Sequence, residues 1–170
     1  MPAPRLETER LILRPPAAED AEPLYDALFR DPDVCRYTGY RIHRSAGETE
    51  AFLREASRDL LAAWCYERRD TGEPVGFGGL APTASGAWEL GYLTAKRFWA
   101  AGYTREAAER MLRWAAGQGQ RKFIARHAVG NTASGWVLKR LGFRATGRTT
   151  LTKLDRSVTY EAIEYRLTVQ

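Results

Sequence analysis

The chain has few of the side chains that bind metals or form disulfides. Its 170 residues include two cysteines, Cys35 and Cys65, and two histidines, His43 and His127, with no C-x-x-C pair. Structural zinc sites need clustered Cys and His ligands, and disulfide-built domains need many more cysteines. We therefore expect neither a metal centre nor a disulfide framework.

Long apolar segments and low-complexity tracts are also missing. No window is apolar over the length that crosses a membrane, and the first residues lack the apolar core of a signal peptide. No internal repeat and no linker rich in Pro, Gly or Ser divides the sequence. We expect one cytoplasmic domain over residues 1–170, of a size that buries about 70% of the surface of the unfolded chain.

Positive charge is in moderate excess. The chain has 26 Lys and Arg against 21 Asp and Glu, which gives a net charge of +5 and a pI near 9.4. Such an excess favours anionic ligands. The basic residues are scattered rather than clustered, so nucleic-acid binding is the less favoured hypothesis, and a solvated surface with one phosphate site would account for the charge.

Hydrophobic periodicity predicts the element order β α α β β β α β α β β. Predicted strands cover residues 6–14, 64–69, 74–80, 88–94, 122–129, 143–153 and 159–168, and predicted helices cover 18–29, 45–63, a stretch from 103, and 131–141. Residues 33–43 are predicted to form a loop. The order predicts an α/β fold of the mixed α+β kind, with a mostly antiparallel twisted sheet, one parallel strand pair and about four flanking helices.

One stretch, from Trp88 to Glu109, organises the rest of the chain. It is W-E-L-G-Y-L-T-A-K-R-F-W-A-A-G-Y-T-R-E-A-A-E, which predicts a strand, a tight turn and an amphipathic helix. A bulge or a splay is expected at Gly91. The turn is basic and small, and the first amides of the following helix have no partner within it, so the turn could hold a phosphate. An ordinary β–α connection is the alternative.

Two motifs resemble those of a known family. E-L-G-Y followed by R-F-W-A-A-G-Y-T-R-E-A is similar to the acyl-CoA-binding motif of the GNAT superfamily of N-acetyltransferases, and N-T-A-S-G-W-V-L-K-R-L-G-F, from Asn131 to Phe143, is similar to a second signature. The opening L-E-T-E-R-L-I-L-R-P and the later D-P-D-V-C-R-Y match the Rim-type branch. That branch acetylates the amino termini of ribosomal proteins and, in its relatives, other amines. The resemblance covers nearly the whole chain.

The resemblance implies a GNAT-like fold in which the parallel strands at Trp88 and Lys122 splay, and it implies acetyl-CoA as co-substrate. The pantetheine arm would enter the splay and pair with strand amides. In the family pattern an Arg and two small residues shape the pyrophosphate loop; Ala100 departs from the usual Gly, keeping the amide and adding a methyl. The implied acetyl-CoA contacts are Leu93, Thr94, Arg97, Ala100, Gly102, Tyr103, Thr104 and Asn131.

The second signature implies a proton donor to the departing thiolate. Many relatives place a Tyr at the position of Leu138, which cannot donate. Ser134, one turn earlier on the same helix face, is the nearest candidate and matches the Ser of the Rim-type pattern. A small residue chosen for packing is the alternative interpretation of Ser134. Asn131 could cap the helix, contact the CoA arm, or do both.

A general base is needed because the attacking amine must be neutral. Neutralising an α-amino group at pH 7 costs about 1 to 1.4 kcal/mol, whereas a Lys side chain costs roughly 4.6 kcal/mol. We predict Glu89 as the base, acting directly or through a water, with a solvent-facing carboxylate as the alternative. His127 is a second candidate, although a strand His among apolar neighbours is commonly structural. A strand amide near Leu93 would stabilise the oxyanion.

The sequence therefore predicts direct acetyl transfer from acetyl-CoA to a primary amine in a ternary complex, with a protein or peptide N-terminal α-amine as acceptor. Tyr37 and Tyr40 are predicted to contact that acceptor, because the corresponding loop of the family helps to form the acceptor groove. Alternative hypotheses are a small-molecule amine as acceptor, a non-catalytic acyl-CoA-binding domain, suggested by Ala100 and Leu138, and an RNA-associated protein. The chain could act as a monomer or as a homodimer.

Overall fold

The computed structural model describes residues 3–60 and 62–170. Within these ranges it has eight strands and five α-helices. The strands are β1 (Leu6–Glu7), β2 (Leu11–Arg14), β3 (Ala62–Arg68), β4 (Pro74–Pro82), β5 (Trp88–Thr94), β6 (Lys122–Ala128), β7 (Arg144–Thr152) and β8 (Thr159–Thr168). The helices are α1 (Ala21–Leu24), α2 (Pro32–Cys35), α3 (Ala46–Asp59), α4 (Tyr103–Gly117) and α5 (Thr132–Arg140), with 3-10 turns at Ala18–Asp20 and Lys96–Phe98 and a π turn at Tyr25–Phe29.

All eight strands form one sheet in the order β1-β2-β3-β4-β5-β6-β8-β7. Every neighbouring pair is antiparallel except β5 and β6, which are parallel. The parallel contact holds only two residue pairs, Trp88 with Phe123 and Glu89 with Ile124, and beyond them the strands part. The register between β4 and β5 runs unbroken past Gly91, so the irregularity expected there is a splay and not a bulge. The predicted mixed fold with one splayed parallel pair is confirmed.

Aromatic side chains attach helices to both faces of the sheet. On one face Phe52 of α3 packs against Phe77 of β4, with ring centroids 5.4 Å apart. On the other face Trp114 of α4 packs against Trp64 of β3 and Trp88 of β5, at 5.1 and 6.3 Å. Successive strand residues point to opposite faces, so the apolar strands can serve both layers.

A G-F-G-G run, from Gly76 to Gly79, lies inside β4 and within the strand predicted over residues 74–80. A Cβ at Gly76 would lie 2.3 Å from the ring of Tyr66 and 2.4 Å from the carbonyl oxygen of Leu93. Only glycine fits beneath that ring. The run therefore serves close packing and not nucleotide binding.

Three predicted boundaries were wrong. The strand predicted over residues 6–14 is two strands, because the polar turn after Glu7 folds β2 back onto β1, with Thr8 N–H donating to Leu11 O at 2.9 Å. The predicted loop 33–43 contains α2, whose first turn is capped by the Asp31 carboxylate accepting from Asp33 N–H at 2.8 Å. The helix predicted to reach residue 63 ends at Asp59, and β3 begins at Ala62.

A buried ion pair ties the first helical segment to the sheet edge. Asp20 is 6% exposed and accepts from Arg14 Nη1 and Nη2, at 2.8 and 2.6 Å, and from Ala17 N–H at 2.8 Å. Burial raises the pKa of the Asp20 carboxyl, but the hydrogen bonds from Arg14 and Ala17 outweigh it and leave that pKa below its usual value. The ionised form of Asp20 therefore stabilises the fold.

We predict that Asp20→Ala lowers the free energy of unfolding by about 2 kcal/mol at neutral pH, because it removes the hydrogen bonds from Arg14 and from Ala17 N–H and leaves the partly buried Arg14 charge paired with Glu67 alone. A group with a depressed folded pKa contributes stability above its unfolded pKa and loses it as the pH falls through the folded pKa, so the penalty should shrink below about pH 4. Urea unfolding at several pH values measures both effects.

The matched control is Asp26→Ala, which removes a carboxylate from an ion pair with Arg30 in which both side chains are 58% exposed. Its effect should stay below about 1 kcal/mol. Equal penalties for the two variants would contradict the role assigned to Asp20.

Candidate active site

A cavity of about 450 Å³ opens on the side of the sheet where β5 and β6 part. It is lined by residues from the loop after α2, from α3, β5, β6 and α5, and from the β7–β8 hairpin. Five side chains predicted from the sequence to act in catalysis or binding meet there: Tyr37, Tyr40, Glu89, Asn131 and Ser134. Leu138 and His127 also line it. The cavity has room for the reacting ends of two substrates.

Glu89 reaches the cavity from the start of the splay and is held there by an arginine. Arg126 Nε and Nη2 lie 2.8 and 2.7 Å from the same carboxylate oxygen, Oε1. Within the described ranges the second oxygen, Oε2, has no protein donor, so it can accept from a substrate. Tyr40 lies on the same cavity, where burial and the nearby Glu89 charge raise its pKa to about 12. Its phenol is therefore neutral at physiological pH.

Ser134 lies in the first turn of α5. Its backbone N–H donates to Asn131 Oδ1 at 3.3 Å, so Asn131 caps the helix, one of the two roles considered for it. The Ser134 hydroxyl lies 2.9 Å from the phenol oxygen of Tyr92 on β5. Burial raises the pKa of Tyr92 to about 12, against the opposing hydrogen bond with Ser134. Leu138, one turn on, is 1% exposed and presents only carbon.

His127 lines the cavity, but both of its ring nitrogens already have partners. Nδ1 lies 2.7 Å from the carbonyl oxygen of Ala128, which can only accept, so Nδ1 carries a proton. Nε2 lies 3.2 Å from the Tyr165 hydroxyl. A Cβ at Gly135 would lie 2.9 Å from Nε2, so α5 packs directly on this ring. This geometry favours the structural interpretation of His127.

The β5–α4 connection has the backbone shape of an anion-binding turn. Ala100 and Gly102 both adopt left-handed φ angles, +60° and +83°. The first helical bond of α4 runs from Glu106 N–H to Gly102 O at 3.1 Å, so the amides of Tyr103 and Thr104 have no acceptor within the helix. The Thr104 hydroxyl turns inward, 2.7 Å from that of Thr94. A phosphate at this turn would meet the Thr104 backbone and not its side chain.

Arg10 anchors the same turn to the β1–β2 edge. Its Nη1 donates to Ala101 O at 2.9 Å, its Nε donates to Glu106 Oε2 at 2.7 Å, and its guanidinium carbon lies 4.2 Å from the ring centroid of Tyr103. The predicted phosphate ligand Arg97 is 67% exposed and forms an ion pair with Glu73. An exposed ion pair of this kind is weak, so Arg97 can turn to an incoming phosphate.

A buried lysine fixes the loop that carries Tyr37 and Tyr40. Lys153, at the end of β7, donates from Nζ to the carbonyl oxygens of Cys35, Thr38 and Tyr40, at 2.8, 3.1 and 2.7 Å. Burial lowers its pKa from the usual value for lysine. We refer to the last residue of α2 and the loop after it, residues 35–40, as the acceptor loop. The β7–β8 hairpin thus fixes the shape of the acceptor loop from the far edge of the sheet.

Three site residues were missed by the sequence analysis: Tyr92, Arg126 and Lys153. Alternation along β5 could have found Tyr92, because it lies on the opposite face from Glu89, toward the helix that carries Ser134. No local pattern distinguishes Arg126 or Lys153 from the other scattered basic residues. Their importance depends on which strands lie side by side.

Comparison with known proteins agrees with this geometry. Residues 10–144 match the family model described as acetyltransferase (GNAT) domain. The chain belongs to the GNAT acetyltransferase family. It is similar to two Bacillus subtilis (strain 168) proteins, the uncharacterized YkkB, at 32% identity over 81% of this chain and 84% of that protein, and the uncharacterized N-acetyltransferase YoaA, at 32% over 85% of each. The predicted enzyme class, an acetyl-CoA-dependent N-acetyltransferase, is confirmed.

Solved structures share the whole fold at low sequence identity. A GNAT-family acetyltransferase from Bacillus anthracis has a TM-score of 0.84 at 19% identity, covering 97% of this chain and 98% of that one. RimL, a ribosomal L7/L12 α-N-protein acetyltransferase solved with coenzyme A, has a TM-score of 0.81 at 18%, covering 98% of each chain. MccE, a microcin C7 self-immunity acetyltransferase solved with acetyl-CoA and AMP, has a TM-score of 0.83 at 16%, covering 95% and 94%. Relatives of the predicted Rim type are thus among its neighbours.

Two negative findings apply to the described part of the chain. None of its helices combines the length and the apolar character needed to cross a membrane. Across residues 3–60 and 62–170, no three His, Cys, Asp or Glu side chains lie close enough together to hold a metal ion.

We predict that Ala100→Gly tightens acetyl-CoA binding several-fold, because it removes a methyl from the turn proposed to hold the pyrophosphate. It should also raise the free energy of unfolding by up to about 1 kcal/mol, because it relieves the left-handed strain that an L-residue carries there. Ala100→Val should weaken binding at least tenfold, since a β-branched residue tolerates this φ poorly. Calorimetric titration with acetyl-CoA measures both.

The neighbouring Ala101→Gly is the control, because Ala101 does not have a positive φ and gains only flexibility. If Ala100→Gly binds no better than Ala101→Gly, the methyl does not limit the site.

We predict that Lys153→Met raises the acceptor KM by about tenfold or more and lowers the free energy of unfolding by about 2 kcal/mol, since three carbonyl groups of the acceptor loop lose the Lys153 ammonium as a donor. The dissociation constant for acetyl-CoA should not change, because Lys153 lies far from the α4 turn in the strand order. Steady-state kinetics measures the acceptor KM, and calorimetry measures the dissociation constant for acetyl-CoA.

Lys139→Met, at an exposed lysine of α5, serves as the control and should alter neither constant. An equal loss of acetyl-CoA binding in Lys153→Met would show a general folding defect in place of loop positioning.

Proposed function

We propose that the protein transfers the acetyl group of acetyl-CoA to the α-amino group of a protein or peptide N-terminus, by direct attack within a ternary complex. The observation that carries this proposal is the meeting of a carboxylate, Glu89, and a hydroxyl, Ser134, in one cavity at the splay of β5 and β6. A base and a donor to the leaving group on either side of a thioester are what aminolysis requires. We propose that residues 1–170 act as one domain.

The splay gives acetyl-CoA a backbone edge to bind. Ala95 N–H donates to Val75 O on β4 at 2.8 Å. Backbone groups of successive strand residues point to opposite edges, so those of Leu93 point to β4, where the Tyr66 hydroxyl donates to Leu93 O at 2.7 Å. Those of Tyr92 and Thr94 point into the splay. The pantetheine arm would add there like an extra strand.

The remaining contacts of acetyl-CoA follow from this placement. The pyrophosphate would lie on the free amides of Tyr103 and Thr104, in the turn shaped by Ala100 and Gly102, with Arg97 turning from Glu73 to meet it. Asn131 would contact the arm near the acetyl end while it caps α5. RimL and MccE, solved with coenzyme A and with acetyl-CoA, share this fold and support the assignment.

A carboxylate base favours an α-amine over a lysine side chain as acceptor. The ion pair with Arg126 holds the Glu89 carboxylate at the cavity through Oε1 and leaves Oε2 to accept from a substrate. Such a base can remove the proton of an α-ammonium, which costs about 1 to 1.4 kcal/mol at pH 7, more readily than that of a lysine, which costs roughly 4.6 kcal/mol. Tyr37 and Tyr40 would contact the chain that carries the amine.

Acetyl transfer then proceeds by direct attack of the amine on the thioester, without a covalent enzyme intermediate. The neutral amine attacks the thioester carbon, and the oxyanion accepts a hydrogen bond from an amide of the free β5 edge next to Leu93, that of Tyr92 or Thr94. The C–S bond then breaks with its electron pair leaving on sulfur. Ser134 donates a hydrogen bond to that sulfur, since Leu138 cannot. The amine proton leaves through Glu89.

The test is a thiol-release assay with acetyl-CoA against small amines and short peptides with free N-termini. We expect turnover on peptides, and a fall in kcat/KM of about 10²-fold or more in Glu89→Gln, because the base is lost. The difference in kcat/KM between Glu89→Gln and the unaltered protein should become smaller as the pH rises, because the acceptor amine then loses its proton without a base. Glu109→Gln, an exposed carboxylate on α4, is the matched control.

Each outcome of this assay distinguishes one hypothesis. Turnover on small amines alone would replace the peptide acceptor with a small-molecule one. Acetyl-CoA binding with no thiol release above hydrolysis would favour a non-catalytic acyl-CoA-binding domain, and an absence of acetyl-CoA binding would overturn both. Undiminished activity in Glu89→Gln would remove Glu89 as the base.

A further inference from the structure

The Tyr92–Ser134 contact is a two-hydroxyl chain that ends in the cavity. The two oxygens are 2.9 Å apart, both residues line the cavity, and within residues 3–60 and 62–170 neither hydroxyl has another protein partner. Two hydroxyls that share one hydrogen bond leave one O–H without a protein acceptor. That O–H is free to donate to a ligand in the cavity.

Acidity decides which hydroxyl keeps the free proton. A phenol, with an ordinary pKa of about 10, is a much better donor than an aliphatic alcohol. Burial raises the pKa of Tyr92 to about 12, which keeps it protonated and able to donate across the pH range of the reaction. In the favoured arrangement the Tyr92 O–H donates to Ser134 Oγ. The Ser134 O–H is then left to donate to a ligand in the cavity.

Tyr92 is partly buried and packs against the core. A Cβ at the facing Gly78 would lie 3.4 Å from Tyr92 Cβ and 3.1 Å from Met111 Cε, so strand, tyrosine and α4 are in close contact. The backbone of Ser134 is fixed from the other side by the hydrogen bond that its N–H donates to Asn131 Oδ1. Neither partner needs to rearrange before acetyl-CoA binds.

We propose that Tyr92 is a positioning residue of the acetyl-transfer site: its phenol donates to Ser134 and thereby directs the Ser134 hydroxyl to the sulfur of acetyl-CoA. This inference rests on the acetyl transfer proposed above. The C–S electron pair goes to sulfur, which accepts a hydrogen bond from Ser134. No proton is transferred permanently, because a thiol with a pKa of about 8.5 is a stronger acid than either hydroxyl. The thiolate takes its proton from water after release.

The kinetic test compares Tyr92→Phe, Ser134→Ala and the double variant. Tyr92→Phe keeps the ring and should lower kcat about 3- to 10-fold while the KM for acetyl-CoA stays the same, as expected for one hydrogen bond that matters when charge develops on sulfur. Because Tyr92 acts through Ser134, the double variant should be no slower than Ser134→Ala. Tyr25→Phe, which removes a hydroxyl bonded to Arg44 O away from the cavity, should have no effect.

A binding test does not depend on turnover. CoA and acetyl-CoA are titrated by calorimetry between about pH 7 and about pH 10.5, a range in which the CoA thiol ionises, above the cysteine reference pKa of about 8.5. If Ser134 donates to the thiolate, CoA affinity relative to acetyl-CoA should rise about 3- to 10-fold over this range. The rise should disappear in both Tyr92→Phe and Ser134→Ala.

The two tests separate failure of the inference from failure of acetyl transfer. Multiplicative losses in the double variant, or parallel pH dependence of CoA and acetyl-CoA in the unaltered protein, would overturn the role of Tyr92 while transfer stands. A thiolate preference that Tyr92→Phe abolishes, in a protein that acetylates nothing, would support the contact and overturn the transfer. If neither ligand binds, both are overturned.

Discussion

The separation of β5 from β6 after two residue pairs is the constraint on which the site depends. A strand that loses its neighbour inside a sheet leaves N–H and C=O groups without partners, and buried groups of this kind must be satisfied. Here Trp99 Nε1 donates to Thr94 O at 2.8 Å, and the rest of that edge faces the splay. The same separation opens the cavity and places Glu89 at its base. A continuous sheet would have neither a ligand edge nor a cavity.

Single cations hold the two irregular segments beside the splay. Arg10 fixes the α4 turn through Ala101 O, and Lys153 fixes the acceptor loop through three carbonyl oxygens. Both segments are short and irregular. Thr38 supplies some donors within the acceptor loop, and a side chain from a distant part of the sheet supplies further donors to each segment. Loops arranged in this way keep their shape without secondary structure, which is the preorganisation that positioning two substrates requires.

The two candidate reactive groups, Glu89 and Ser134, are each held by one neighbouring side chain. Glu89 is held by Arg126 through one oxygen, and Ser134 is held by Tyr92 through one hydrogen bond, so each keeps one lone pair or proton for a substrate. Neither is a strong base or acid. An α-amine close to its own pKa needs only a weak base, and a thiolate leaves readily without a strong acid. Most of the proposed rate acceleration therefore comes from positioning the two substrates.

Local pattern in the sequence by itself determined the order of elements from β3 to β8, the tight β5–α4 turn and membership of the GNAT family, because strands, helix starts and anion-binding turns are encoded by neighbouring residues. It also predicted Glu89 and Ser134 as candidate reactive residues, because their positions lie within motifs. Only the tertiary structure decided their partners: Tyr92 and Ser134 are 42 positions apart, Glu89 and Arg126 are 37 apart, and Lys153 lies 118 positions from Cys35. Those pairs exist because β5 lies beside β6 and the β7–β8 hairpin reaches the acceptor loop, and strand adjacency is set by packing of the whole chain and not by any local stretch of it.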